Sequence, residues 1–158
     1  MSRIWLLDGR SGSGKTVLAE ALAVELGATV VHMDDLYPGW GGLDEGSAYA
    51  LERILAPLVR GDDAVWRRWD WAAGARAEEH RLPAGSALVL EGCGALSRAS
   101  APLAERATWL ECDEPTRRSR ALARDGADDW WEGWRAQEDA FYARERSRDL
   151  ATEVRGCR

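Results

Sequence analysis

Residues Gly9-Arg10-Ser11-Gly12-Ser13-Gly14-Lys15-Thr16 satisfy G-x-x-x-x-G-K-[ST] at each fixed position. Lys15 is the only lysine in the chain, and every other residue in the Lys and Arg total of 21 is an arginine. A compact ammonium on a flexible stem is thus kept where it must reach between phosphates, a task that a planar guanidinium does not fit. The flanks agree with the motif. Ile4 to Asp8 reads as a short buried strand, and Thr16 to Leu26 reads as a helix stopped by Gly27. Strand, glycine loop and helix in that order commit the chain to an α/β architecture. The loop amides of Gly9, Ser11, Gly12, Ser13, Gly14, Lys15, Thr16 and Val17 and the positive helix end would face a polyphosphate, with the Thr16 hydroxyl as a Mg²⁺ ligand. With one lysine, no guanine-reading N-K-x-D or T-K-x-D can occur beyond the loop, so ATP is expected rather than GTP.

The rest of the chain continues the alternation. Strands are expected at 29–33, 87–91 and 107–112, with Glu153-Val154 as a weak terminal candidate, and helices at 47–60, 114–125 and 129–146. That order implies a parallel sheet with right-handed crossovers. Residues 38–46, with four glycines, read as a mobile loop, and no linker divides 1–158, so one domain is expected. Hydrophobic residues make up 46% and charged residues 30%, and no apolar run approaches a membrane span. The net charge of −6 argues against a nucleic-acid partner. Neither a membrane partner nor a secreted location is expected, and the oligomeric state is not fixed. Cys93, Cys112 and Cys157 are odd in number and lack ligand spacing, so reduced thiols in the cytoplasm are expected, with no chemistry assigned to them.

In parallel sheets ligands bind beyond the carboxyl ends of the strands. Three such ends are acidic here: Asp8, Asp34-Asp35 and Glu91. Asp34 is placed to take the proton of an acceptor hydroxyl and Glu91 to hold Mg²⁺, directly or through water. Acids after strands also cap turns, and Asp35 fits either role. Arg117, Arg120 and Arg124 recur at helical spacing, and Arg120 and Arg124 are expected to neutralise the transferring phosphoryl group from a lid at about 117–135. Arg117 and Arg135 fit that role less directly. Trp69 and Trp71 alternate as on a strand, and each suits either a substrate wall or the core. Trp130, Trp134, Gln137 and Phe141 form a helical stripe expected to pack on the sheet. His32 reads as a packed strand residue.

Four segments carry a family resemblance. Asp34-Asp35-Leu36-Tyr37 resembles the D-S-F-Y of the uridine kinase branch of P-loop small-molecule kinases. Trp69-Asp70-Trp71 followed by Arg76 resembles its Y-D-F and S-R, and Leu90-Glu91-Gly92 its F-E-G. Asp113 through Thr116-Arg117, Arg120 and Arg124-Asp125 resembles its D-x-x-T-R-x-x-R-x-x-x-R-D. Gly74 stands where that family has a histidine, and Ala127-Asp128-Asp129-Trp130-Trp131 replaces its lid R-G-R. The resemblance implies a three-layer P-loop fold like that of nucleoside monophosphate kinases, with about five parallel strands flanked by helices and a short lid. It implies transfer from Mg²⁺·ATP to a hydroxyl of a small-molecule acceptor. Lys15, Asp34, Arg120 and Arg124 would be catalytic, and Asp34, Tyr37, Trp69, Asp70 and Arg76 would line the substrate pocket. Two other readings are carried with it. In a nucleoside monophosphate kinase, Arg53, Arg60 and Arg76 would clamp an acceptor phosphate. In an ATP-binding regulator or ATPase there would be no acceptor.

Overall fold

A computed structural model describes residues 3–157. The first strand, β1 (Ile4–Asp8), is buried along its whole length, as its unbroken apolar run requires of a central parallel strand. It is followed by α1 (Lys15–Leu26), β2 (Thr29–His32) and a 3₁₀ turn at Met33–Asp35. Helix α2 (Leu43–Ala50) runs through a π-turn at Leu51–Leu55 into α3 (Ala56–Arg60). Then come β3 (Ala64–Asp70), β4 (Ala75–Leu82), β5 (Leu88–Glu91), β6 (Arg106–Glu111), α4 (Glu114–Asp125), α5 (Trp131–Glu145), α6 (Ser147–Leu150) and β7 (Glu153–Gly156). Five strands form a parallel sheet in the order β2-β5-β1-β6-β7, which bears out the expected α/β architecture. One face packs Trp5, Leu7 and Val89 against Ala19 and Ala23 of α1. The other packs Ile4, Leu6, Leu88 and Leu90 with α2, α3 and the aromatic residues Trp134 and Phe141 of α5.

Local chemistry sets the element ends. The Asp113 side chain accepts a hydrogen bond from the Thr116 amide at 2.9 Å and caps α4, whose first turn carries Pro115. Leu43, fully buried, draws the second half of the expected 38–46 loop into α2. The side chain of Gln137 fastens that segment to α5, its Oε1 accepting from the Leu43 amide at 3.2 Å and its Nε2 donating to the Trp40 carbonyl at 2.6 Å. Gln137 therefore does not lie on the packed stripe. The buried face of α5 is Trp131, Trp134, Glu138 and Phe141, one position off the expected Trp130 register at two of its places.

Apart from the strand-like alternation of Trp69 and Trp71, no element is expected between 61 and 86, where the structure has an antiparallel hairpin of β3 and β4. Asp70 builds its turn, its Oδ1 accepting from the Ala72 and Ala73 amides at 2.9 and 3.1 Å. Trp71 consequently leaves the strand, and the Trp69 and Trp71 alternation does not continue.

The expectation of three reduced thiols is corrected. Cys112 and Cys157 form a disulfide. Because β6 and β7 are neighbouring parallel strands with Glu111 beside Gly156, the next residues of both strands emerge side by side, with Cα atoms 5.1 Å apart. Cys93 is the free cysteine among the described residues, and it is buried. No helix among those residues is long and apolar enough to cross a membrane.

Candidate active site

The phosphate loop leaves β1 at Asp8 and enters α1 at Lys15. Gly12 has φ +81°, and a Cβ there would lie 2.2 Å from the Arg117 carbonyl oxygen, so only glycine lets α4 approach this closely. Asp8 is fully buried and anchors the loop. It accepts hydrogen bonds from the amides of Gly9 (2.7 Å), Gly94 (3.1 Å) and Leu96 (2.9 Å) and from the Tyr142 hydroxyl (2.7 Å). Burial pushes its pKa up to about 6, and those hydrogen bonds pull against the rise. Glu138, also buried, reaches from α5 to accept from the Ser11 amide at 2.7 Å. Arg117 supports the same loop from α4, donating to the Cys112 carbonyl at 3.0 Å and the Ser11 carbonyl at 3.4 Å.

A cleft of about 1000 Å³ lies over the loop. Ser11, Gly12, Gly14, Lys15, Thr16 and Val17 line it, while Gly9 and Ser13 are buried. Lys15 Nζ donates to the Arg10 carbonyl at 3.0 Å and lies 3.4 Å from Ser13 Oγ. Burial opposes its charge, but nearby acids, Glu91, Asp8 and Glu138 among them, outweigh burial and raise its pKa. Thr16 Oγ1 donates to Glu91 Oε1 at 3.2 Å, and His32 Nδ1 lies 2.6 Å from the same oxygen. The Glu91 hydrogen bond raises the His32 pKa against partial burial. His32 is therefore tied to the metal candidate, a role its place on β2 did not suggest. Among the described residues no group of three or more His, Cys, Asp or Glu could hold a metal. One hydroxyl and one carboxylate fit Mg²⁺, which takes few protein oxygens and completes its shell with phosphate and water.

Asp34, Asp35 and Tyr37 line the cleft from the segment after β2, and Arg120 and Arg124 line it from α4. Asp34 opens to the cleft, yet the surrounding protein removes enough water to raise its pKa. The Glu91 charge adds to the rise, and Lys15 and Arg124 reduce it. Arg120 lies 3.4 Å from the Ser13 carbonyl, and Arg124 pairs with Asp125 at 2.8 Å. Arg135 pairs instead with Glu114 at 3.3 Å, outside the cleft lining. Cys93 lines the cleft, but burial pushes its thiol up to about 12, which leaves it protonated and no nucleophile.

Trp69, Asp70 and Arg76 do not line the cleft. Arg76 lies 3.9 Å over the Tyr49 ring of α2 and 5.5 Å from Trp69, where the hairpin meets that helix. In their place the lining includes Trp71, whose Nε1 donates to the Asp34 carbonyl at 2.9 Å, with Trp40, Trp130 and Trp134. Trp130 thus lines the cleft as well as packing partly on the core. Glu138 carried a signal that the sequence reading missed: a charged residue four positions from Trp134 and Tyr142 on the packed side of α5.

A glycine loop between the central strand and its helix, with an acid at the end of each of the two strands beyond it, defines a phosphate-binding-loop α/β fold. Comparison with solved structures shows which known folds the chain resembles. The chain is similar to a possible uridine kinase from Bacillus stearothermophilus, with a TM-score of 0.69 and 18% identity over 98% of this chain and 88% of the other. A gluconokinase from Sinorhizobium meliloti 1021 matches with a TM-score of 0.56 and 16% identity over 98% and 81%. A shikimate kinase from Bacteroides thetaiotaomicron matches with a TM-score of 0.54 and 17% identity over 98% and 86%. No protein-family model and no curated protein matches the sequence. The chain has the P-loop kinase fold.

Proposed function

We propose that the protein is an ATP- and Mg²⁺-dependent phosphotransferase that phosphorylates a hydroxyl group of a small molecule. The observation that carries this reading is Asp34, open to the same cleft as Lys15, Thr16 and Glu91 and with its pKa raised toward the range useful to a base. Lys15 and the loop amides bind the β- and γ-phosphates, and Thr16 and Glu91 would hold Mg²⁺, which supplies charge neutralisation. Asp34 orients the acceptor hydroxyl and takes its proton as that oxygen bonds to the γ-phosphorus. The bond from that phosphorus to the β,γ-bridging oxygen breaks, and ADP leaves with the electron pair. Arg120 and Arg124 stabilise the charge on the transferring group. The kinase fold supports the reading, and the names of its structural neighbours (uridine, gluconate and shikimate kinases) suit a hydroxyl acceptor.

A phosphate acceptor has less support. Arg53 lies by Glu52, Arg60 pairs with Asp62 and Arg76 stacks on Tyr49, and none of the three lines the cleft. ATP use also suits the cytoplasm, where the Cys112–Cys157 bridge would have to withstand reducing thiols.

The test is Asp34→Asn, measured as acceptor-dependent ADP release beside Mg·ATP binding. Turnover is expected to fall by about two to four orders of magnitude, the contribution of a general base, with nucleotide affinity nearly unchanged. Unchanged turnover would move the base to Asp35 or replace the hydroxyl with an acceptor that needs none.

A further inference from the structure

Trp40, Trp71 and Trp130 line the cleft together with Asp34 and Asp35. The Trp40 ring lies 5.1 Å from Trp71, and 5.5 Å from Trp130 at an interplanar angle of 22°. Trp130 packs partly on the core, but core packing does not account for the other two, since Trp40 is 57% exposed and Trp71 39%. Trp71 is held by its ring, whose Nε1 donates to the Asp34 carbonyl at 2.9 Å, and Trp40 by its backbone, whose carbonyl accepts from Gln137 Nε2 at 2.6 Å. Exposed tryptophan side chains beside the proposed base, with the outer sides of the stacked pair left to the cleft, amount to a recognition surface.

Charge narrows what that surface takes. The cleft is lined by the carboxylates Asp34, Asp35, Glu91, Asp125 and Asp129, and by the cations Lys15, Arg120 and Arg124. Lys15 and Arg120 bond to carbonyls of the phosphate loop, and Arg124 is paired with Asp125. Asp34, Asp35 and Asp129 make no ion pair among the described residues. An acceptor carrying carboxylate or phosphate would meet like charge there, whereas a cation would meet carboxylates and the negative faces of indole rings. The chain gives its own instance of such a contact, with the Arg124 guanidinium 6.0 Å from the Trp130 ring centre.

We propose that the acceptor is a hydroxylated organic cation, an amino alcohol or amino sugar whose ammonium rests against Trp40, Trp71 and Trp130 while its hydroxyl reaches Asp34. This specificity rests on the hydroxyl-phosphorylation reading above. The tryptophan wall selects the cation, Asp35 and Asp129 add long-range attraction, and the phosphate-loop cations remain with the nucleotide.

The test uses binding, so that it does not depend on turnover. The affinities of choline and its neutral isostere 3,3-dimethylbutan-1-ol, and of glucosamine and glucose, are measured by tryptophan fluorescence and calorimetry on the protein loaded with Mg²⁺ and a non-hydrolysable ATP analogue. The cation of at least one pair is expected to bind about tenfold or more tightly than its neutral partner, the ratio that desolvated cation–π contact supplies. Trp40→Ala, at an exposed position, is expected to collapse that ratio, and Asp35→Asn to reduce it. Equal affinities within both pairs, or no binding by any of the four compounds, with the analogue bound, would overturn this inference and leave the phosphotransferase reading standing. Failure of the analogue itself to bind would overturn the phosphotransferase reading and this inference with it.

Discussion

Cutting the Cys112–Cys157 bridge is expected to lower stability by a calculable amount. The bridge closes a segment of 45 residues that holds α4, α5 and α6. In the chain-entropy account, releasing a closed loop of that length returns about 4 kcal/mol of freedom to the unfolded state, at the upper end of the roughly 2–4 kcal/mol that disulfides typically contribute. Because β6 and β7 are also paired through the main chain, the native contacts are expected to persist on reduction and the loss to fall mostly on the unfolded-state side. For a chain of this size each kcal/mol moves Tm by about 2–4 °C, which gives a fall of roughly 4–16 °C. Cys157→Ser is the cleaner variant, because the Cys112 carbonyl and sulfur lie against Arg117 and Arg120. The assay is thermal melting of wild type with and without reductant beside Cys157→Ser, with thiols counted on the denatured, unreduced wild type. One free thiol and a reductant-sensitive Tm matching that of the variant are expected. Three free thiols, or a Tm that neither reductant nor substitution moves, would refute the reasoning.

Gly12→Ala forces a side chain to within 2.2 Å of the Arg117 carbonyl at φ +81°, so it is expected to weaken Mg·ATP binding by at least about tenfold and to lower Tm, read by nucleotide titration and melting. Glu138→Ala strands the Ser11 amide and is expected to lower stability by about 1–3 kcal/mol, measured by denaturant unfolding, while Glu138→Gln keeps an acceptor and should lose less. The Asp34 pKa lies above its ordinary 3.8, and the base works deprotonated, so kcat/KM is expected to fall as pH drops through that raised value. The Asp34→Asn profile should lack that limb, and an identical limb in the variant would assign it to another group.

The phosphate loop, the parallel sheet and the acids after β2 and β5 were legible in the sequence because each is a local pattern: a fixed-spacing motif, an apolar run, or a residue at a strand end. Thr16 and Glu91 come within hydrogen-bond distance as that logic requires. What escaped it depends on contacts between distant segments. The disulfide exists because β7 pairs beside β6, and no spacing between Cys112 and Cys157 reports that pairing. Trp69, Asp70 and Arg76 resembled a pocket segment, but the Asx turn at Asp70 closes a hairpin that carries them out of the cleft and leaves Trp71 against Asp34. Trp40 and Trp130 become one wall only when α5 and the segment before α2 are joined through Gln137. Glu138 was the exception, a charge on the packed face of a helix that could have been read as a support for something buried.

The most direct test of the account is the fate of the γ-phosphate. The protein is incubated with Mg·ATP and a panel of nucleosides, sugars and amino alcohols, and the products are followed by ³¹P NMR and mass. The account predicts acceptor-dependent ADP with a phosphomonoester on a carbon-bound oxygen, and neither product from Lys15→Ala. A new phosphoanhydride would mean a phosphate acceptor, and ADP with free phosphate alone would mean an ATPase. Either result would contradict the account.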